Sequence, residues 1–439
     1  KRQAQECDME SGQNVAFDCP FSNAERCQSE EMLFFIYSIQ IVGLVFLCSL
    51  ILTAWPQHNV ILMPEYWYEP LLLSLIGSLP FDTFWWMMTS MMMLNTEVIR
   101  SWRDCCKLYL KKCFIYTLTY VSIYIIWVHV KQKRHPMPFL GFPFAYLTIP
   151  LALIEFWFLF PPNLRIDDKL FRKRLFAYIH WLMFILYKSF IGYMFMQPLA
   201  NLLENWLPPI LVWSSLGFFL PVIKYGHMTI ATKLACRAAG GNQLPARITS
   251  ICAVGLQHQL FILLFIGSRT TPIGSYLIMS LDCIPNIVSC IRIIRERRKI
   301  SNEAEVDQNQ TDSLQCLALK EVIELLVPAC YCITYAMAYY GPNSEIMGGI
   351  GNEYWCKQKV SDIEETLTRL GMCFVIDVLR GIFIGVLLWM FCKINIVKLY
   401  GQVMKKFGLL LLVMLIGFFN KVCVALFVLA LSNLITCII

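Results

Sequence analysis

Asp82, Lys188, Asp282, Asp377, Arg380 and Lys421 each fall near the centre of a long apolar run. Such a run is read as a membrane helix, and a charge at its middle costs about 3 kcal/mol or more in lipid. These side chains are therefore expected to face one another inside a helix bundle. Three are acidic and three basic, so mutual neutralisation is feasible. Asp377 and Arg380 stand three residues apart, on one helix face, and can pair locally. Lys188 and Lys421 then need partners from other helices, with Asp82 and Asp282 as the candidates. Two roles fit. One is a set of salt bridges that fixes helix packing. The other is a pathway for an ion or small charged solute, the default reading of buried ionisable groups in membranes.

A second signal is the helix breaker beside a charge. Pro80 precedes Asp82 in Gly77-Ser78-Leu79-Pro80-Phe81-Asp82, and Pro285 and Asn286 follow Asp282. Proline removes a backbone donor and frees carbonyls upstream, and interrupted helices are how many transporters build a midplane site. His180 and His258, the latter in Gln257-His258-Gln259, could relay protons or act as bases in an intramembrane lipid-modifying enzyme. Glu155 and Lys224 lie near predicted helix ends, so they are expected to snorkel to the interface. No HExxH, GxSxG, Walker loop or strand-linked GxGxxG is present, so neither a metal nor another cofactor is expected. Met87, Met88, Met91, Met92 and Met93 lack accompanying His or Cys, and read as adaptable packing rather than copper ligands.

The elements that must carry these residues follow from composition. Of 439 residues, 57% are hydrophobic and 15% charged, with mean hydropathy +0.57. A soluble domain carries about 25% charged residues. The apolar runs are continuous rather than alternating, which favours helices over a barrel. Eleven candidate spans emerge: 32–55, 70–95, 110–130, 138–161, 174–197, 206–229, 247–267, 272–292, 317–340, 367–392 and 408–437. The expected fold is an all-α polytopic transmembrane bundle, preceded by a polar N-terminal segment over 1–31. The longest polar connections are 293–316 and 341–366. The chain starts at Lys1 without a signal-peptide pattern and finishes within an apolar run, which leaves room for a further helix at either end.

The net charge of +7 resides largely in short loops. Arg100 to Lys112, Arg165 to Arg174, Lys233 to Arg247, Arg292 to Lys299 and Lys393 to Lys406 fall on alternate connections. The positive-inside bias then places the N-terminus in the cytosol and the C-terminus outside. The basic loops therefore read as topology signals rather than a nucleic-acid surface, and the cluster Arg292 to Lys299 at a helix end is expected to meet anionic lipid heads. A glycan on the Asn309-Gln310-Thr311 sequon would invert this topology. Most of the 19 cysteines lie in the spans and behave as small hydrophobes. Cys7, Cys19 and Cys27 would pair only in an oxidising compartment. The functional expectation is a transporter or channel. A receptor or assembly subunit and the lipid-modifying enzyme are its alternatives, and a homo-oligomer remains open.

Overall fold

The computed structural model describes residues 30–54, 88–93, 168–241, 243–269, 272–299, 307–340 and 363–408, with a few isolated positions around 153–160 and 411–415. Asp82, Pro80, Glu155 and Lys421 lie outside the described residues, as do most of the spans at 70–95, 110–130, 138–161 and 408–437. The side chain of Lys188 does too, although its backbone is helical.

All regular structure among the described residues is helical. In chain order come α1 (Glu30–Ala54), α2 (Asp168–Trp206), α3 (Pro209–Ala238), α4 (Gln243–Ser250), a π-helical turn (Ile251–Gly255), α5 (Leu256–Arg269), α6 (Pro272–Lys299), α7 (Asp307–Tyr340) and α8 (Ile363–Cys392). A last helical stretch covers 396–408. Among the described residues, three helices are long and apolar enough to cross a membrane, within Glu30–Leu47, Ile273–Arg297 and Glu364–Cys392.

The connection expected as a polar loop over 293–316 is mostly helix, because α6 continues to Lys299 and α7 begins at Asp307. Local charge explains the continuation. Arg292 pairs with Glu296 one turn on at 2.9 Å, a favourable i,i+4 arrangement on an exposed face. The sequon residue Asn309 accordingly lies in the first turn of α7.

The packing is inverted relative to a soluble bundle. On α8 the buried stripe is Arg369, Leu370, Cys373, Asp377, Arg380, Ile384 and Leu388, while Leu379, Ile382, Phe383, Val386 and Trp389 are exposed. α3 repeats the pattern, with Phe218, Phe219, Val222 and Tyr225 outward and Lys224 buried. Apolar surface of this extent suits lipid rather than water. α7 lies at the centre, packed against α1, α4, α5, α6, α8 and the π turn.

Small residues bring α3 and α6 together. A Cβ at Gly217 would sit 2.7 Å from Leu281 Cδ1, and one at Gly274 would sit 2.8 Å from Trp213. Such close approach is the usual device of helix pairs in lipid. α3 ends where Gly240 takes φ +74, with Gly241 N–H donating to Cys236 O and Gly240 N–H to Arg237 O. That left-handed C-cap closes the helix. At the same end of the bundle, Asn395 Oδ1 caps the 396–408 stretch by accepting from the Val397 and Lys398 amides at 3.0 and 3.3 Å. Gly401 there lies against the backbone of Glu30, joining this stretch to the start of α1.

Candidate functional site

Five helices send ionisable or amide side chains to one buried cluster. α3 supplies Lys224, α5 His258 and Gln259, α6 Asp282 and Asn286, α7 Glu321 and Glu324, and α8 Asp377 and Arg380. None of these residues is more than 4% exposed. Lys224 Nζ donates to Asp282 Oδ2 at 3.1 Å and to Glu324 Oε1 at 2.7 Å, tying α3 to α6 and α7. Arg380 donates through Nε to Glu321 Oε2 at 3.1 Å and through Nη1 to Asp377 Oδ1 at 2.6 Å, while its Nη2 lies 2.9 Å from Glu324 Oε2. Asn286 Nδ2 donates to Glu321 Oε1 at 2.7 Å and also to Glu324 Oε2. His258 Nε2 lies 3.4 Å from Asp282 Oδ1, and Gln259 Nε2 donates to Asp282 Oδ2 at 3.4 Å. The result is a continuous chain, Asp282–Lys224–Glu324–Arg380–Asp377, with Glu321 cross-linked at its centre.

The backbone is irregular at this depth on four of the five helices. Interior prolines stand at Pro221 on α3, Pro285 on α6 and Pro328 on α7. Each denies a hydrogen bond to the carbonyl four residues earlier. Those carbonyls belong to Gly217, Leu281 and Glu324, so the last two are at or beside network residues. On the fourth helix, the π turn Ile251–Gly255 runs directly into α5 and sets Gln257, His258 and Gln259 in the core together. Single π turns often accompany functional sites. Irregular backbone within a membrane is tolerated where protein buries it or a cavity is lined by it.

Of the six charged candidates, Asp282, Asp377 and Arg380 lie in this cluster, where Asp377 and Arg380 pair along α8, and His258, a separate candidate, lies beside Asp282. Among the described residues Asp282 pairs with Lys224, with His258 and Gln259 beside it, while its expected partners, the Lys188 side chain and Lys421, lie outside the described residues. The snorkelling assignment of Lys224 is corrected: α3 continues to Ala238, so Lys224 lies in its middle and is 1% exposed. His180 does not join the cluster. It is exposed, its Nδ1 lies 2.8 Å from Phe176 O, and its ring packs against Phe176. Met88, Met91, Met92 and Met93 are buried in the apolar core, in keeping with a packing role.

Sequence reasoning missed Glu321, Glu324 and the half-buried Lys320 beside them. With a span starting at 317 they fall in the first two turns, where charge is ordinary. α7 begins ten residues earlier, which puts both glutamates at its middle. The signal that could have found them is their i,i+3 spacing on one face, opposite the Asp377–Arg380 pair. Comparison with protein families, curated proteins and solved structures finds no match for the chain.

Proposed function

We propose that this protein is a multi-pass membrane transporter or channel for an ion or small charged solute. It is organised as a bundle of about eleven transmembrane helices, and the α3–α5–α6–α7–α8 network is its site. The observation that carries the reading is the coincidence of two costly features. A branched ionic network is buried among helices with apolar outer faces, and four of the five helices that build it carry a proline or adjoin a π turn at that depth. Packing alone needs neither. Desolvating a buried ion pair offsets most of its attraction, and apolar residues of similar volume hold helices together as well or better. Ion pairs that are shared between helices can instead exchange partners. Lys224 bridges α6 and α7, and Arg380 bridges α7 and its own helix, so a bound charge that displaces either would change the relation of α7 to its neighbours.

A second reading, a receptor or assembly subunit, draws on the completeness of the pairing: Lys224 and Arg380 each contact at least two carboxylates. Flux separates the two. Purified full-length protein in liposomes is expected to pass charged tracers, and Asp282→Asn and Arg380→Met are expected to abolish that passage while the protein remains monodisperse. Flux equal to wild type in both variants would remove the network from the mechanism and favour the assembly reading.

A further inference from the structure

The composition of the network indicates which sign of charge it handles, an inference that rests on the transport reading. Among the described residues, four carboxylates, Asp282, Glu321, Glu324 and Asp377, face two fully buried cations, Lys224 and Arg380. Lys320, half-buried on α7, adds one more and still leaves an excess carboxylate. The hydrogen-bond inventory has the same sense independently. Lys224 Nζ, the three guanidinium nitrogens of Arg380, Asn286 Nδ2, Gln259 Nε2 and His258 Nε2 all have a carboxylate oxygen within 3.4 Å. Of the five network atoms that make no hydrogen bond among the described residues, His258 Nε2 and Arg380 Nη2 still have a carboxylate oxygen at 3.4 and 2.9 Å, and the other three are oxygens. Asp377 Oδ2, Asn286 Oδ1 and Gln259 Oε1 are buried and have no hydrogen-bond partner among the described residues. A buried acceptor without a donor costs free energy, and so does a buried excess of negative charge.

We infer that the species this network binds is a small cation, the proton included, and not an anion. An alkali cation would be held by the spare carboxylate and amide oxygens. A proton would be held on His258 or on one of the carboxylates. His258 is the side chain whose ordinary range spans neutral pH. His258 faces Asp282 of α6, and through Asp282 the cluster that includes Lys224 from α3, Lys320, Glu321 and Glu324 from α7, and Asp377 and Arg380 from α8, with Tyr400 near Glu321 and Arg380. One added positive charge brings the described members of the cluster, Lys320 included, to neutrality.

Two measurements on the full chain test this. In the first, proteoliposomes are assayed with a trapped pH dye, with sodium and rubidium tracers, and with chloride and phosphate tracers. Proton or alkali-cation flux is expected, lowered about tenfold or more by Asp282→Asn and by Asp377→Asn, because each removes a charged acceptor. Flux of the anions alone would overturn the inference and leave the transport reading standing. The second measurement needs no transport. The unfolding midpoint in detergent is followed in sodium, potassium and choline chloride, in sodium gluconate, and across about pH 5 to 9. A rise with the inorganic cation or with the proton, absent in Asp377→Asn, is expected. A rise that follows chloride, or no response to any of these ions, overturns the inference. A cation response without flux would retain the binding site and refute transport.

Discussion

Replacing Lys224 with methionine separates a buried ammonium from a snorkelling one. Methionine keeps the length and apolar stem, so little packing is lost. What is lost is a charge within 3.1 Å of Asp282 and 2.7 Å of Glu324. Both carboxylates are essentially inaccessible to solvent. Breaking a buried pair by removing one partner costs about 3–5 kcal/mol, because the other charge remains without compensation. Arg380 still contacts Glu324, so Asp282 bears most of the loss, which sets the expectation at the lower end, about 3 kcal/mol. Equilibrium unfolding by SDS in mixed micelles reads that difference directly. The double variant K224M/D282N removes the orphaned charge together with its partner and is expected to recover more than about 1 kcal/mol, within the range seen for contacting residues. A lysine whose ammonium reached the interface would behave like an ordinary surface position, with a change within about 0.5 kcal/mol. A cost that small for K224M, or strictly additive effects in the double variant, would refute the burial of Lys224 and with it the network.

Four further outcomes follow from the packing. Gly401→Ala would bring a Cβ against the carbonyl oxygen of Glu30, and backbone cannot rotate away as a side chain does, so a loss of about 1–3 kcal/mol is expected by SDS unfolding. Gly226→Ala has nothing within 4 Å of the added carbon and lies inside α3, so it is expected to be neutral or stabilising by up to about 1 kcal/mol. Cys236 and Cys392 are partly exposed whereas Cys252 and Cys330 are buried. Brief maleimide treatment followed by mass spectrometry is expected to mark the first two and to spare the second two until the protein is unfolded. Arg380→Lys is expected to be as damaging as Arg380→Met to within a few-fold in flux, because a point charge cannot reproduce a planar fork that addresses Glu321, Glu324 and Asp377 from separate nitrogens.

The secondary structure of the described region was legible in the sequence because continuous apolar length is a one-dimensional signal. The expected spans at 32–55, 206–229, 272–292 and 367–392 all fall on observed helices. Their ends were not legible. In a protein with an apolar exterior the helices run on past the lipid-soluble stretch as polar, charged turns, as α3 does to Ala238, α6 to Lys299 and α7 from Asp307. That extension decides what counts as a middle. Asp282, Asp377 and Arg380 are central by either measure, and their burial could be read from the chain alone. Lys224, Glu321 and Glu324 look peripheral against the apolar run and prove central against the helix.

Pairing belongs wholly to the tertiary structure. Asp377 and Arg380 are neighbours along one helix, so their contact follows from spacing. That Lys224 meets Asp282 depends on Gly217 and Gly274 letting α3 and α6 approach closely. That Arg380 also reaches Glu321 and Glu324 depends on α7 occupying the centre of the bundle. The sequence by itself determined that charges must be buried among apolar helices. Only the packing of those helices decided which charges they are and that, among the described residues, carboxylates outnumber the cations that face them, because ion pairs form across distances in space that no spacing along the chain encodes.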